Sequence, residues 1–207
     1  MGSRFLPLVL VLGTMGCAEL QRRPVIPPAA LTVPGDPVRG QVSALADAFG
    51  DGGQALNGHP AAMAQAVARN EQVLVWLDQD PRFNSFSEAV RQQLEGASRE
   101  QRGALGMAES VPRAQAIAGL LATRRALLAG DDAAARAALG AITNPEGLPP
   151  LERLARMGGL PQSAIATTLL REEVTRLDAE NAWRGVRGSE NAALAITTPG
   201  LGGNTDR

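Results

Sequence analysis

An all-α fold, a single irregular bundle of roughly six to eight helices, is predicted by three observations. Apolar residues recur at steps of three and four through most of residues 37–184, glycine and proline interrupt them at helix-length intervals, and strand-type alternation is almost absent. The one compact β-prone run, 73–76, sits inside a longer helical pattern. Residues 37–184 suffice for one domain that buries about 70% of the surface of its unfolded chain.

The first helix should open at Asp36, a capping residue followed by Pro37. Val38, Val42, Leu45 and Phe49 line one face before Gly50 stops it. The second is expected from Pro60 to about Asp78, with Met63, Val67, Leu74 and Leu77 on a stripe widened by Val73 and Trp76, which marks a central helix. Ser85 with Glu88 matches a capping box ahead of Phe86, Val90 and Leu94, and Gly96 should break or bend that third helix. A fourth helix begins near Pro112 and carries Ile117, Leu120, Leu121, Leu127 and Leu128 up to Gly130. Asp131 caps a short alanine-rich helix that ends near Gly140. The loop 144–150 precedes two turns with Leu151, Leu154 and Met157. Pro161 opens the last long helix, whose inner face is expected to hold Ile165, Leu169, Val174 and Leu177, with Trp183 near its end.

The two ends of the chain read differently. Arg4, the apolar run 5–11 and small residues up to Cys17, the only cysteine, have the layout of a cleaved secretory leader, too short to span a bilayer as a helix. The sequence Thr14-Met15-Gly16-Cys17 resembles the lipobox of bacterial lipoproteins. Gly16 and Cys17 fit that pattern, whereas Thr14 stands where leucine is usual. The resemblance covers the leader alone, and implies that residues 1–16 are removed and that Cys17 is lipidated as the mature N-terminus. Residues 17–36 then form a tether carrying Pro24, Pro27, Pro28 and Pro34, and the glycine- and threonine-rich stretch 185–207 is expected to be a flexible tail. The implied location is the bacterial cell envelope, on the periplasm-facing outer membrane, since Ala18 is not the aspartate associated with retention at the inner membrane.

Composition excludes some function classes. A formal net charge of -1, with arginines scattered among nearly equal numbers of acids, gives no basic stripe for nucleic acid. With one cysteine, no intramolecular disulfide forms, and packing alone must hold the fold.

Candidate chemistry is sparse. His59, the only histidine, precedes the second helix without neighbours at ligand spacing, so a loop or capping role is expected. The stretch 51–59 lacks the alternating acids of a calcium loop and the ending of a phosphate cradle. Asp78 and Asp80 are paired carboxylates of the type used in glycoside hydrolysis, yet two residues apart at a helix end they point in different directions. Glu172, Glu173 and Arg176 read as an exposed helix face. With aromatic content at 3%, the set Phe49, Phe83, Phe86, Trp76 and Trp183 is a possible ligand lining, but core packing is expected for Trp76.

No catalytic, cofactor-binding or metal residue is assigned, and no cofactor is expected. The site expected is Cys17, for lipidation, with the membrane as partner through that anchor and an envelope protein as a further partner. A non-enzymatic interaction or assembly role is the function expected. The alternatives are a carrier for an apolar ligand such as a lipid, and an envelope hydrolase using distant carboxylates such as Asp51, Asp78 and Asp80. A deep apolar pocket would favour the carrier, converging polar groups the enzyme, and a closed core with exposed apolar residues the binder.

Overall fold

The computed structural model describes residues 27–32 and 35–183. The leader, Cys17, most of the tether and the tail from 185 lie outside them. The described residues form an all-α bundle of seven helices with no strand: α1 (Pro37–Phe49), α2 (Pro60–Gln79), α3 (Glu88–Leu105), α4 (Arg113–Leu128), α5 (Asp132–Gly140), α6 (Pro150–Ala155) and α7 (Pro161–Ala179). No helix among them is long and apolar enough to cross a membrane.

The expected central helix is α2, which packs on α1, α3, α4 and α6. Its apolar stripe is fully used: Met63, Val67, Val73, Leu74, Trp76 and Leu77 are all buried. Helix α7 lies across α3 and α1, and α5 fills the angle between α4 and α6. The helix starts at Asp36 and Asp131 form as their sequences dictate, each carboxylate accepting a backbone N–H in the first turn, from Arg39 at 2.8 Å and from Ala134 at 2.9 Å. Gly106 ends α3 in the left-handed region at φ +72, where a side chain would be strained.

Four expectations are corrected. The cap of α3 is Ser87, not Ser85, and the box is completed from elsewhere in the chain: the Ser87 N–H donates to Glu173 of α7 at 2.8 Å, in place of a glutamate three residues on. Gly96 does not break α3, which runs on to Leu105, and it admits α7 closely, since a Cβ there would meet Gln162 Oε1 at 3.2 Å. The buried stripe of α7 is Ala166, Leu170, Glu173, Val174 and Leu177, leaving Ile165 48% exposed. At about 100° per residue, Ile165 and Val174 point about 180° apart, so no single neighbour covers both. Finally, Leu128 is 64% exposed although it continues the inner stripe of α4, because α2 begins at Pro60 and offers no further turn to cover it.

Trp76, Phe83, Phe86 and Trp183 form a ladder, Phe49 is buried in the core, and none of the five borders the two depressions described below. Trp76 stacks on Phe83 with centroids 5.5 Å apart, Phe83 meets Phe86 at 5.1 Å, and Phe86 takes the edge of Trp183 at 5.6 Å. Trp183 is fixed further by its indole N–H, which donates to Asp178 at 2.7 Å, and by the Arg39 guanidinium over its ring.

Candidate functional site

The residues proposed from sequence do not converge. Asp51 caps the turn at Gln54–Leu56, accepting from the Gln54 and Ala55 N–H groups at 3.0 and 2.8 Å. Asp78 pairs with Arg91 at 2.9 Å, and Asp80, fully buried, with Arg82 at 2.7 Å. The loop that carries Asp51 is bound to the approach to α7, where the Gly52 carbonyl accepts from the Gly159 and Leu160 N–H groups. Asn57 Oδ1 adds a bond from the Gly158 N–H at 2.8 Å. These contacts account for the glycine-rich stretch as a structural junction. Among the described residues no group of three or more histidine, cysteine, aspartate or glutamate side chains is placed to hold a metal ion.

Two polar clusters escaped the sequence reading. The first is centred on Glu71, which occupies the apolar stripe of α2 between Val67 and Leu74 and is 0% exposed. Its Oε1 accepts from Ser98 Oγ at 2.8 Å and Arg102 Nε at 2.7 Å, and its Oε2 from Arg102 Nη2 and Arg113 Nη1, both at 3.0 Å. Arg113 in turn binds both oxygens of Glu95 at 2.6 and 2.7 Å. Arg102 Nη1 donates to the Val111 carbonyl at 2.8 Å, which fixes the loop into α4. Burial pushes the Glu71 carboxyl up, but hydrogen bonds from Arg102 and Ser98, with the charges of Arg102 and Arg113, outweigh it and hold its pKa below the usual carboxylate range. Arg113 is opposed by burial yet raised by Glu95 and Glu71.

An open depression of about 410 Å³ lies over this cluster, bordered by Glu95, Arg99, Arg102, Ser110 and Arg113. The buried charges beneath it are already paired: Arg102 and Arg113 meet Glu71 and Glu95, and every oxygen of Glu71 holds two donors. No lone pair of Glu71 is left for a substrate proton, and the Ser98 hydroxyl has spent its own proton on that carboxylate. The arrangement joins α2, α3 and α4 and leaves little capacity for acid-base work. A carboxylate at a stripe position was the available signal for Glu71; Arg102 and Arg113 carried none.

The second cluster lies where α2 begins and α4 ends, around an open depression of about 420 Å³. His59, Ala62, Gln65, Arg124, Leu127 and Leu128 border it. His59 takes the N-cap position of α2 but makes no side-chain cap bond. One turn beyond Gln65 stands Arg69, whose Nε is buried with no hydrogen-bond partner. Burial lowers the pKa of Arg69, and the like charge of Arg124 lowers it further. Neither arginine forms an ion pair among the described residues.

Compared with known proteins, the chain matches no family model, no curated protein and no solved structure, so function is argued from these sites alone.

Proposed function

We propose that this chain is a lipid-anchored envelope protein whose helical body binds another envelope component and does not turn over a substrate. The observation that carries this reading is the contrast between a closed interior and exposed apolar side chains. Trp76, Phe49, Met63, Leu74, Leu94 and Leu120 are each under 2% exposed around α2, whereas Leu128, Leu148 and Ile165 stand 64%, 51% and 48% exposed. Both depressions described are open to solvent and bordered by charged groups, which does not suit the dry, apolar volume a lipid carrier needs. A hydrolase is not supported by Asp51, Asp78 and Asp80, each taken up by a local partner.

The test is photo-crosslinking in intact cells from single sites at Leu148 and Ile165, followed by mass spectrometry. A discrete adduct with one envelope protein at either site is expected. Recovery of none, together with a hydrolytic activity of the purified chain abolished by Asp80→Asn, would replace this reading with the enzyme. Acylation is checked separately by the mass of the mature N-terminal peptide, where an unmodified Cys17 removes the anchor.

A further inference from the structure

We infer that Asn57-Gly58 is a covalent modification site, where ring closure of the Asn57 side chain onto the Gly58 nitrogen yields isoaspartate and unfastens the turn after α6. The sequence supplies the reactive pair. Asn57-Gly58 is the only asparagine-glycine pair in the chain, and glycine has no side chain to keep its nitrogen from a neighbouring amide carbon. The other described asparagines are placed differently. Asn144 precedes Pro145, whose nitrogen carries no hydrogen to lose, and Asn84 and Asn181 precede Ser85 and Ala182, whose Cβ atoms crowd the approach. Asn70 is buried, with its amide donating to Gln101. Asn57 is exposed on the loop before α2, where water reaches it.

The fold holds the two reacting groups apart. Asn57 leaves the turn Gln54–Leu56 with an extended backbone, φ -60 and ψ 132, and Gly58 follows in the left-handed region at φ +80. On this path the Gly58 N–H donates to the Ala155 carbonyl at 2.8 Å, while Asn57 Oδ1 accepts from the Gly158 N–H at 2.8 Å. The nucleophile and the amide it attacks are thus each bonded to the turn 155–158. Ring closure needs both bonds broken together, so the reaction waits on local opening of this junction.

Once the junction opens, the Gly58 nitrogen gives its proton to a base in solvent and attacks Asn57 Cγ. The Cγ–Nδ2 bond breaks, Nδ2 leaves as ammonia with a proton from water, and a cyclic imide remains. Water then adds to one of its two carbonyls. Opening at Cγ gives aspartate, and opening at the main-chain carbonyl gives isoaspartate, in which the chain runs through Cγ. The extra carbon in that path carries the Gly58 N–H out of line with Ala155. Met157, between the two tethering points and 4% exposed, then loses part of its cover.

The purified full chain is held at mildly alkaline pH, folded or unfolded in guanidinium, and conversion of Asn57 is followed by peptide mapping with enzymatic methylation of isoaspartate. The folded chain should convert at least about tenfold more slowly, since two hydrogen bonds must open first. Gly158→Ala tests the gate directly, because a Cβ there would meet the Asn57 amide at 2.6 to 2.8 Å and the side chain must swing away. Folded Gly158→Ala, its fold checked by thermal melting, should convert about tenfold faster than the native chain. Should that variant not fold, the comparison of folded with unfolded native chain still decides. The isoaspartate product, separated by ion exchange, is then treated with dilute peroxide. Its Met157 should oxidise several-fold faster than in the native chain, whereas Asn57→Asp, which adds the charge without the extra carbon, should oxidise as the native chain does. Equal conversion in folded and unfolded chain, or in folded Gly158→Ala and native chain, would remove the gate, and unchanged Met157 oxidation in the isoaspartate product would show that the turn stays fastened; each overturns the inference. None of these readouts depends on the lipid anchor or on a partner.

Discussion

At the scale of single residues, Glu71 decides most. A carboxylate in an apolar stripe is tolerated only because four donors reach it, and removing the charge strands Arg102 in the interior. Glu71→Gln should therefore cost about 3 to 5 kcal/mol in urea unfolding, whereas Arg136→Ala, which loosens an exposed pair with Asp132, should stay within about 0.5 kcal/mol. The same carboxylate sets an acid limit. Its folded pKa lies below its unfolded value of about 4.3, so its contribution is complete above that pH and is lost as pH falls through the folded pKa. Glu173, lowered by Arg176 and by the Ser87 N–H against a burial cost, acts in the same direction. Stability measured from pH 6 down to pH 3 should fall more steeply in the native chain than in Glu71→Gln. Equal slopes would show that Glu71 is not the group whose protonation matters.

At the scale of elements, α3 and α7 cap one another. Glu173 serves the first N–H of α3's cap, and Glu100 accepts from the Gln162 and Ser163 N–H groups at the start of α7, at 3.0 and 2.8 Å. Each helix thus supplies a carboxylate to the N-terminus of its partner. Glu100→Ala and Glu173→Ala should each cost about 1 kcal/mol, and the double variant close to the sum, because the two caps lie at opposite ends of α3. A thermal-melting cycle with strong coupling would contradict this. The reciprocity also marks where the sequence was legible. Helices α1, α2 and α5 were readable because their start signals, the capping Asp36 and Asp131 and the first-position Pro60, lie in the chain next to the helices they open. The start of α3 and the face of α7 were not, because Ser163, Thr167 and Glu173 look like surface residues until α3 is laid beside them. For the same reason Arg102 and Arg113 could not be grouped: Glu71 lies on another helix, and only Glu71 disturbed a pattern visible in one segment.

At the scale of the whole molecule, stability rests on α2. Leu74, 0% exposed at its centre, should cost about 2 to 5 kcal/mol when replaced by alanine, measured by chemical denaturation, since neighbours on several sides cannot close the cavity together. The clasp between the ends of the body has a kinetic consequence. Arg39 binds Asp178 across 139 positions of sequence, and α1 packs along α7, so the first helix made waits for the last. At about 5 to 20 residues per second, that interval is roughly 7 to 28 seconds of synthesis during which α1 has no lasting partner on that face. Contacts of such separation also slow the closing step once the chain is complete. A nascent chain arrested before α7 should therefore remain open to protease within α1, and become resistant when synthesis passes Trp183.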